Sequence, residues 1–135
     1  MENIEDKMEL EQITTEDVRD AICELLYENM ADDIKVLKIT DISSLADYFI
    51  IATAKSPNHL RSLANEIQEV LAYNGLKANH IEGLKGLKWV LMDYTDVVVH
   101  IFLPQARDYY GLESYWADAP LYKYDPENDK PSEEE

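Results

Sequence analysis

Basic residues are scarce in this chain. Twelve Lys and Arg stand against 28 Asp and Glu in 135 residues, a formal charge of −16. Such a molecule repels the phosphate backbone that dominates nucleic-acid affinity, and anionic membrane surfaces as well. Direct nucleic-acid or membrane binding is therefore not expected, and a basic protein is the natural partner. Cysteine is nearly missing: Cys23 stands alone and cannot form an internal disulfide. There is no run of eighteen apolar residues and no charged-then-apolar leader, so a cytoplasmic protein is expected. The glycine-rich phosphate loops G-x-G-x-x-G and G-x-x-x-x-G-K-[ST] are absent. His59, His80 and His100 are the only histidines and follow no zinc spacing, so neither cofactor nor metal is expected. No internal repeat is present.

What is there is a globular composition, 46% hydrophobic and 30% charged, at a length that suits one domain. The negative charge is uneven: −4 over residues 1–13, −7 over 14–117 and −5 over 118–135. Residues 1–13 read as a flexible acidic lead-in, 14–117 as the domain, and 118–135 as a disordered acidic tail.

Within the domain, Thr14-Thr15-Glu16-Asp17 opens a helix with a capping Thr and acids in its first turn. Val18, Ala21, Ile22, Leu25, Leu26 and Met30 then recur at helical spacing, and Cys23 falls one position off that stripe. Residues 34–39 alternate like a half-exposed strand, and 48–53 form a nearly continuous apolar run. Ser56-Pro57 starts a second helix, Leu60, Leu63, Ala64, Ile67, Val70 and Leu71 form its apolar face, and Asn74-Gly75 closes it. A third strand is expected over 76–81. Gly83-Leu84-Lys85-Gly86 has the GxxG form of a nucleotide-backbone clamp, but it leads into a strand instead of joining two helices.

Residues 88–93 and 96–103 read as a hairpin turning at Tyr94-Thr95, which would pair Asp93 with Asp96, Leu91 with Val98 and Trp89 with His100. Strand alternation then sorts two faces. Val90, Met92, Val97, Val99, Ile101 and Leu103 make one wholly apolar face, and Trp89, Leu91, Asp93, Asp96, Val98, His100 and Phe102 make a mixed one. The mixed face is where function is expected. Two aspartates opposed across a hairpin repel each other, which points to a basic partner, to a metal, or simply to a solvated turn. His100 interrupts an apolar strand and needs either a polar partner or exposure. Pro104 can start a last helix carrying Tyr109, Tyr110, Tyr115 and Trp116, broken at Gly111. Tyr and Trp pack cores and also anchor interfaces. The whole is an α/β protein, a mixed sheet of about five strands packed with helices.

Residues 33–116 resemble the ribosomal silencing factor (RsfS, or Iojap) family. The likeness is carried by Ser43-Ser44-Leu45-Ala46-Asp47-Tyr48-Phe49-Ile50-Ile51, Ser56-x-x-His59, Glu82-Gly83, the run from Trp89 to Phe102, and Arg107-x-x-Tyr110-x-Leu112-Glu113-x-x-Trp116. The resemblance implies a nucleotidyltransferase-like domain without the catalytic set, hence no enzyme. It also implies binding to the large ribosomal subunit through its protein fourteen, which blocks small-subunit joining and lowers translation in starvation or stationary phase. The partner-binding positions it implies are Trp89, Asp93, Asp96 and His100, with Asp47, Tyr48 and Tyr110 beside them. Where the family commonly has glycine, this chain has Leu87 and Thr95, and where it has a Gly-Thr pair this chain has Ala54-Lys55. Losing glycine makes a positive φ harder to adopt. Two other classes fit the residues: a magnesium-dependent nucleotidyltransferase using Asp93 and Asp96, and a plain dimerisation module, with the free protein a homodimer.

Overall fold

The computed structural model describes residues 13–127. Helix α1 (Thr15–Glu28) begins where Thr14 accepts from the Asp17 amide at 3.0 Å and the Asp17 carboxylate accepts from the Thr14 amide at 3.1 Å. This reciprocal cap satisfies two otherwise unpaired donors. Helix α2 (Pro57–Tyr73) starts as its sequence predicts, with the Ser56 hydroxyl accepting from the His59 amide and proline in the first turn. Ile22, Cys23 and Leu26 from α1 and Leu60, Leu63, Ala64, Ile67 and Leu71 from α2 are buried. Cys23 is thus a core residue, and burial pushes its thiol up to about 12, where it is inert.

The two helices cover one face of a sheet made of β1 (Asp32–Lys38), β2 (Tyr48–Thr53), β3 (His80–Glu82), β4 (Trp89–Asp93), β5 (Val97–Phe102) and β6 (Leu121–Lys123). The strand order is β3-β4-β5-β2-β1-β6, with β2 and β5 parallel and the other neighbours antiparallel. The fold is the expected mixed α/β sheet, with six strands instead of about five. The extra strand corrects the expected tail. Leu121 pairs with Leu37 and Lys123 with Lys35, while the Tyr124 amide donates to the Ile34 carbonyl at 2.8 Å. Acidic, proline-containing composition argues against a core but says nothing of backbone pairing, and β1 offers an edge whose amides and carbonyls need partners. Residues 128–135 of that tail, and 1–12 of the lead-in, lie outside the described residues. The third strand is shorter than 76–81: only His80–Glu82 pairs, and Leu76 instead caps α2 by donating to the Leu71 carbonyl at 2.8 Å.

The second sheet face carries Leu37, Phe49, Ile51, Val98 and Phe102. It is covered by helix α3 (Pro104–Tyr110) and one turn, α4 (Leu112–Tyr115), joined at Gly111 in the left-handed conformation (φ 55°). Both helices are too short to persist by themselves. Arg107 anchors them, as its guanidinium is bidentate to Glu113 and also donates to Thr53 Oγ1 and the Asp33 carbonyl.

The β4–β5 hairpin forms, with a register shifted by two residues from that expected. Asp93 opposes Val98, Leu91 opposes His100, and Trp89 opposes Phe102. The turn is Thr95-Asp96, closed by the Tyr94 amide on the Val97 carbonyl. A shift of two leaves every side chain within the strands on its predicted face, because strand alternation has period two. It also separates Asp93 from Asp96, so the opposed pair of carboxylates is not formed. The backbone keeps glycine-like angles without glycine, φ 73° at Thr95 and 54° at Leu87. For a β-branched residue this conformation is strained, by about 1–2 kcal/mol. Thr95→Asn, which tolerates the left-handed region, is expected to stabilise the protein by about 1 kcal/mol, a rise of about 4 °C in the thermal midpoint. An unchanged or lowered midpoint would contradict the strain.

Candidate functional site

The second face is closed at its centre and open along β4. Val98, His100 and Phe102 are buried under α3 and α4, whereas Trp89, Leu91 and Asp93 of the neighbouring strand are only half-buried. Trp89 holds the middle of an aromatic run. Its ring stacks on Phe102 at 4.9 Å and meets Tyr110 at 4.8 Å, and Tyr110 meets Tyr109 at 5.0 Å. On its other side lie His100, Phe49, Trp116 and Tyr115, each within 6 Å of the next. Tyr110 is 52% exposed and Tyr109 81%. Large aromatics left open beside a packed cluster are what protein interfaces use as anchors.

Two steps of the strand alternation separate Trp89 from Asp93, roughly 13 Å at the usual strand rise. At that end of the sheet stand Asp93 and Asp47, while the Asp96 carboxylate turns to the other side and accepts from the Thr15 hydroxyl at the start of α1 at 3.4 Å. Asp93 accepts from the Thr95 amide at 2.8 Å, Asp96 follows it in the turn, and the Asp47 amide donates to the Asp96 carbonyl at 2.9 Å. Asp96 is exposed and Asp47 and Asp93 half-exposed. The face thus runs from an apolar aromatic end to an acidic end. Among the described residues, no three His, Cys, Asp or Glu side chains gather closely enough to hold a metal ion. No helix among them is long and apolar enough to cross a membrane.

Asp96 is thus parted from the Trp89 face, where alternation is expected to put it, because it lies in the turn and not in a strand, and two further predicted positions are corrected. Tyr48 is buried and points to the opposite face, where its hydroxyl donates to Glu16 and Arg19 lies 4.8 Å over its ring. The alternation of β2 decides this: Phe49, not Tyr48, faces the same side as Trp89. His100 does lie beneath Trp89 but is 3% exposed and not at the surface, because α3 and α4 close over it. Its Nδ1 accepts from the Trp89 indole at 3.2 Å, and its Nε2 has no partner. Burial lowers its pKa to about 4.

That shift has a sign. The folded value lies below the ordinary 6.5, so the unfolded chain binds the proton more readily. Stability is full above pH 6.5 and declines as pH falls towards 4. A loss of about 2 kcal/mol across that window is expected, allowing for relaxation around the charged ring. Denaturant titrations from pH 7 to 4 should show the loss in the wild type and a smaller one in His100→Phe.

Leu91 lies half-buried beside Trp89 on the open edge, where strand alternation puts it, and the family resemblance does not include it among the partner-binding positions. Gly83 enters through the backbone. At φ 96° a side chain there would place its Cβ 1.9 Å from the Trp89 carbonyl oxygen, so glycine lets the loop pass under the start of β4. Ser56 and His59 make no nucleophile pair. Ser56 is a cap, and the His59 ring bonds the Lys55 amide and the Asn29 carbonyl, tying α2 to the end of α1.

The chain is similar to several known proteins. The family described as "Ribosomal silencing factor during starvation" matches residues 12–135. A Bacillus subtilis protein named ribosomal silencing factor RsfS is 41% identical over 98 residues, 73% of this chain and 83% of that protein. The mouse protein named mitochondrial assembly of ribosomal large subunit protein 1 is 31% identical over 102 residues, 72% of this chain and 44% of its own length. A crystal structure of a Chromobacterium violaceum protein superposes with a TM-score of 0.75 at 35% identity, covering 77% of this chain and 87% of that one.

Proposed function

Since this chain belongs to the ribosomal silencing factor family, we propose that it docks on the large ribosomal subunit and keeps the small subunit from joining. Its contact is the open edge of the second sheet face, with Trp89, Leu91 and Tyr110 as the apolar anchor and Asp93 and Asp47 as the acidic flank. The partner is a basic protein of that subunit, its protein fourteen. The bulk of the domain covers the surface where the small subunit would sit, so translation falls without any catalysis.

The observation that carries this reading is the half-open Trp89, packed on three aromatic rings in a chain of net charge −16. A rigid aromatic anchor loses little entropy on binding. Acids at the rim accelerate encounter with a basic surface. The alternative of a magnesium-dependent nucleotidyltransferase rested on Asp93 and Asp96 facing each other, and the observed register pairs Asp93 with Val98.

The test is sedimentation of purified protein with isolated large subunits, followed by addition of small subunits. Co-migration with the large subunit and a smaller joined fraction are expected, both weakening as salt rises. Unchanged profiles at saturating protein would refute the proposal.

A further inference from the structure

We propose that His100, sealed from solvent, is the positioning residue of the docking face: it fixes the Trp89 indole in the one orientation that the large-subunit partner accepts. This rests on the docking reading above and concerns how the anchor is held. Strand β5 reads Val97, Val98, Val99, His100, Ile101, Phe102, and every one of them is buried. His100 is the single residue of the strand with a polar side chain. Its surroundings are Leu91 across the ladder, Phe49 with ring centroids 4.8 Å away, and Phe102. An apolar residue would suit that environment at least as well.

The hydrogen-bond inventory sharpens the point. Nδ1 accepts from Trp89 Nε1–H, so a neutral ring carries its own proton on Nε2. That atom is buried with no hydrogen-bond partner. One bond made and one donor stranded leave little or no net gain in stability. Local rules broken without a stabilising return mark functional positions. The return here is geometric. Stacking on Phe102 and contact with Tyr110 place the indole against the face but do not choose between its two χ2 orientations, since a ring turned over still stacks. The single polar atom of the indole, bonded to a ring that packing cannot release, makes that choice. A binding anchor held in place before the partner arrives is worth more than the same ring left mobile.

The test uses the full chain with Trp116→Phe, so that Trp89 is the sole tryptophan reporter. His100→Phe removes the acceptor and keeps the apolar volume. We expect an unchanged or higher thermal midpoint, faster decay of Trp89 fluorescence anisotropy, and roughly tenfold weaker large-subunit binding. His100→Asn, whose Oδ1 can take the place of Nδ1, should bring binding back to within about threefold of wild type. A merely structural histidine would instead lower the midpoint and binding together, with no rescue by Asn. The inference is overturned if His100→Phe binds like wild type while Trp89→Ala does not. If Trp89→Ala itself binds like wild type, the docking reading falls. The anisotropy of Trp89 in the free protein then still decides whether His100 holds the ring.

Discussion

Arg107→Ala is expected to destabilise the protein by about 3–5 kcal/mol, the cost of breaking a buried ion pair from one side. Arg107 is 7% exposed, and its guanidinium makes four hydrogen bonds: Nε and Nη2 to the two Glu113 oxygens at 3.1 and 2.7 Å, and Nη1 to Thr53 Oγ1 at 2.7 Å and the Asp33 carbonyl at 2.8 Å. Alanine would strand all of these groups at once and leave Glu113 only the longer contact with Lys35 at 3.6 Å. Helices of seven and four residues do not persist alone, and this polar anchor adds to the packing of Ala106, Leu112 and Trp116 that holds them on the sheet. A midpoint lower by about 12 °C or more should follow. Arg107→Lys should recover little, because an ammonium cannot be bidentate to Glu113 and also reach the other two oxygens. The Arg107 hydrogen bond holds the Glu113 carboxyl below its ordinary 4.5. Its share of stability is therefore present above that value and lost as pH falls through the lowered one. An unfolding free energy within about 1 kcal/mol of wild type would mean that α3 and α4 are held by apolar packing alone. The same anchor bears on the proposed docking, since α3 presents Tyr110 to Trp89.

Trp89→Ala should weaken large-subunit binding about 100-fold, the size of a central aromatic hot spot. The ring is only half-buried, so the domain should stay folded, and circular dichroism on the same samples checks that. Asp93→Asn keeps an acceptor for the Thr95 amide and removes only the charge. A rim charge acts mainly through encounter, so its expected effect is about threefold, in the association rate, and it should shrink as salt rises. If the order is reversed, with Asp93 dominant and Trp89 neutral, the contact lies at the acidic end of the face.

Much of the fold can be read from residue order. Helix α2 is legible at both ends because Ser56-Pro57 and Asn74-Gly75 are local signals, satisfied within one turn of chain. The two faces of the hairpin are legible as well, since alternation needs no knowledge of register. The register itself is not. Thr95 and Leu87 adopt the positive φ that their side chains disfavour, so the turn chemistry misleads by two residues. Strand β6 is illegible for a related reason: three exposed residues in an acidic segment carry no pattern, and only the free edge of β1 gives them a role.

What the sequence alone determined is the alternation that puts Trp89, Leu91 and His100 on one side, the acidity that makes a basic partner the expected one, and the family likeness. Those are properties of neighbours along the chain. Tertiary structure alone decided which of these residues a partner can touch. Coverage by α3 and α4 depends on Arg107 reaching Thr53 and Asp33, 54 and 74 residues away along the chain. That closure buries His100 and leaves Trp89 open, and the pairing of β4 with β5 parts the two aspartates. Burial is a relation among segments far apart in sequence, and no local pattern encodes it.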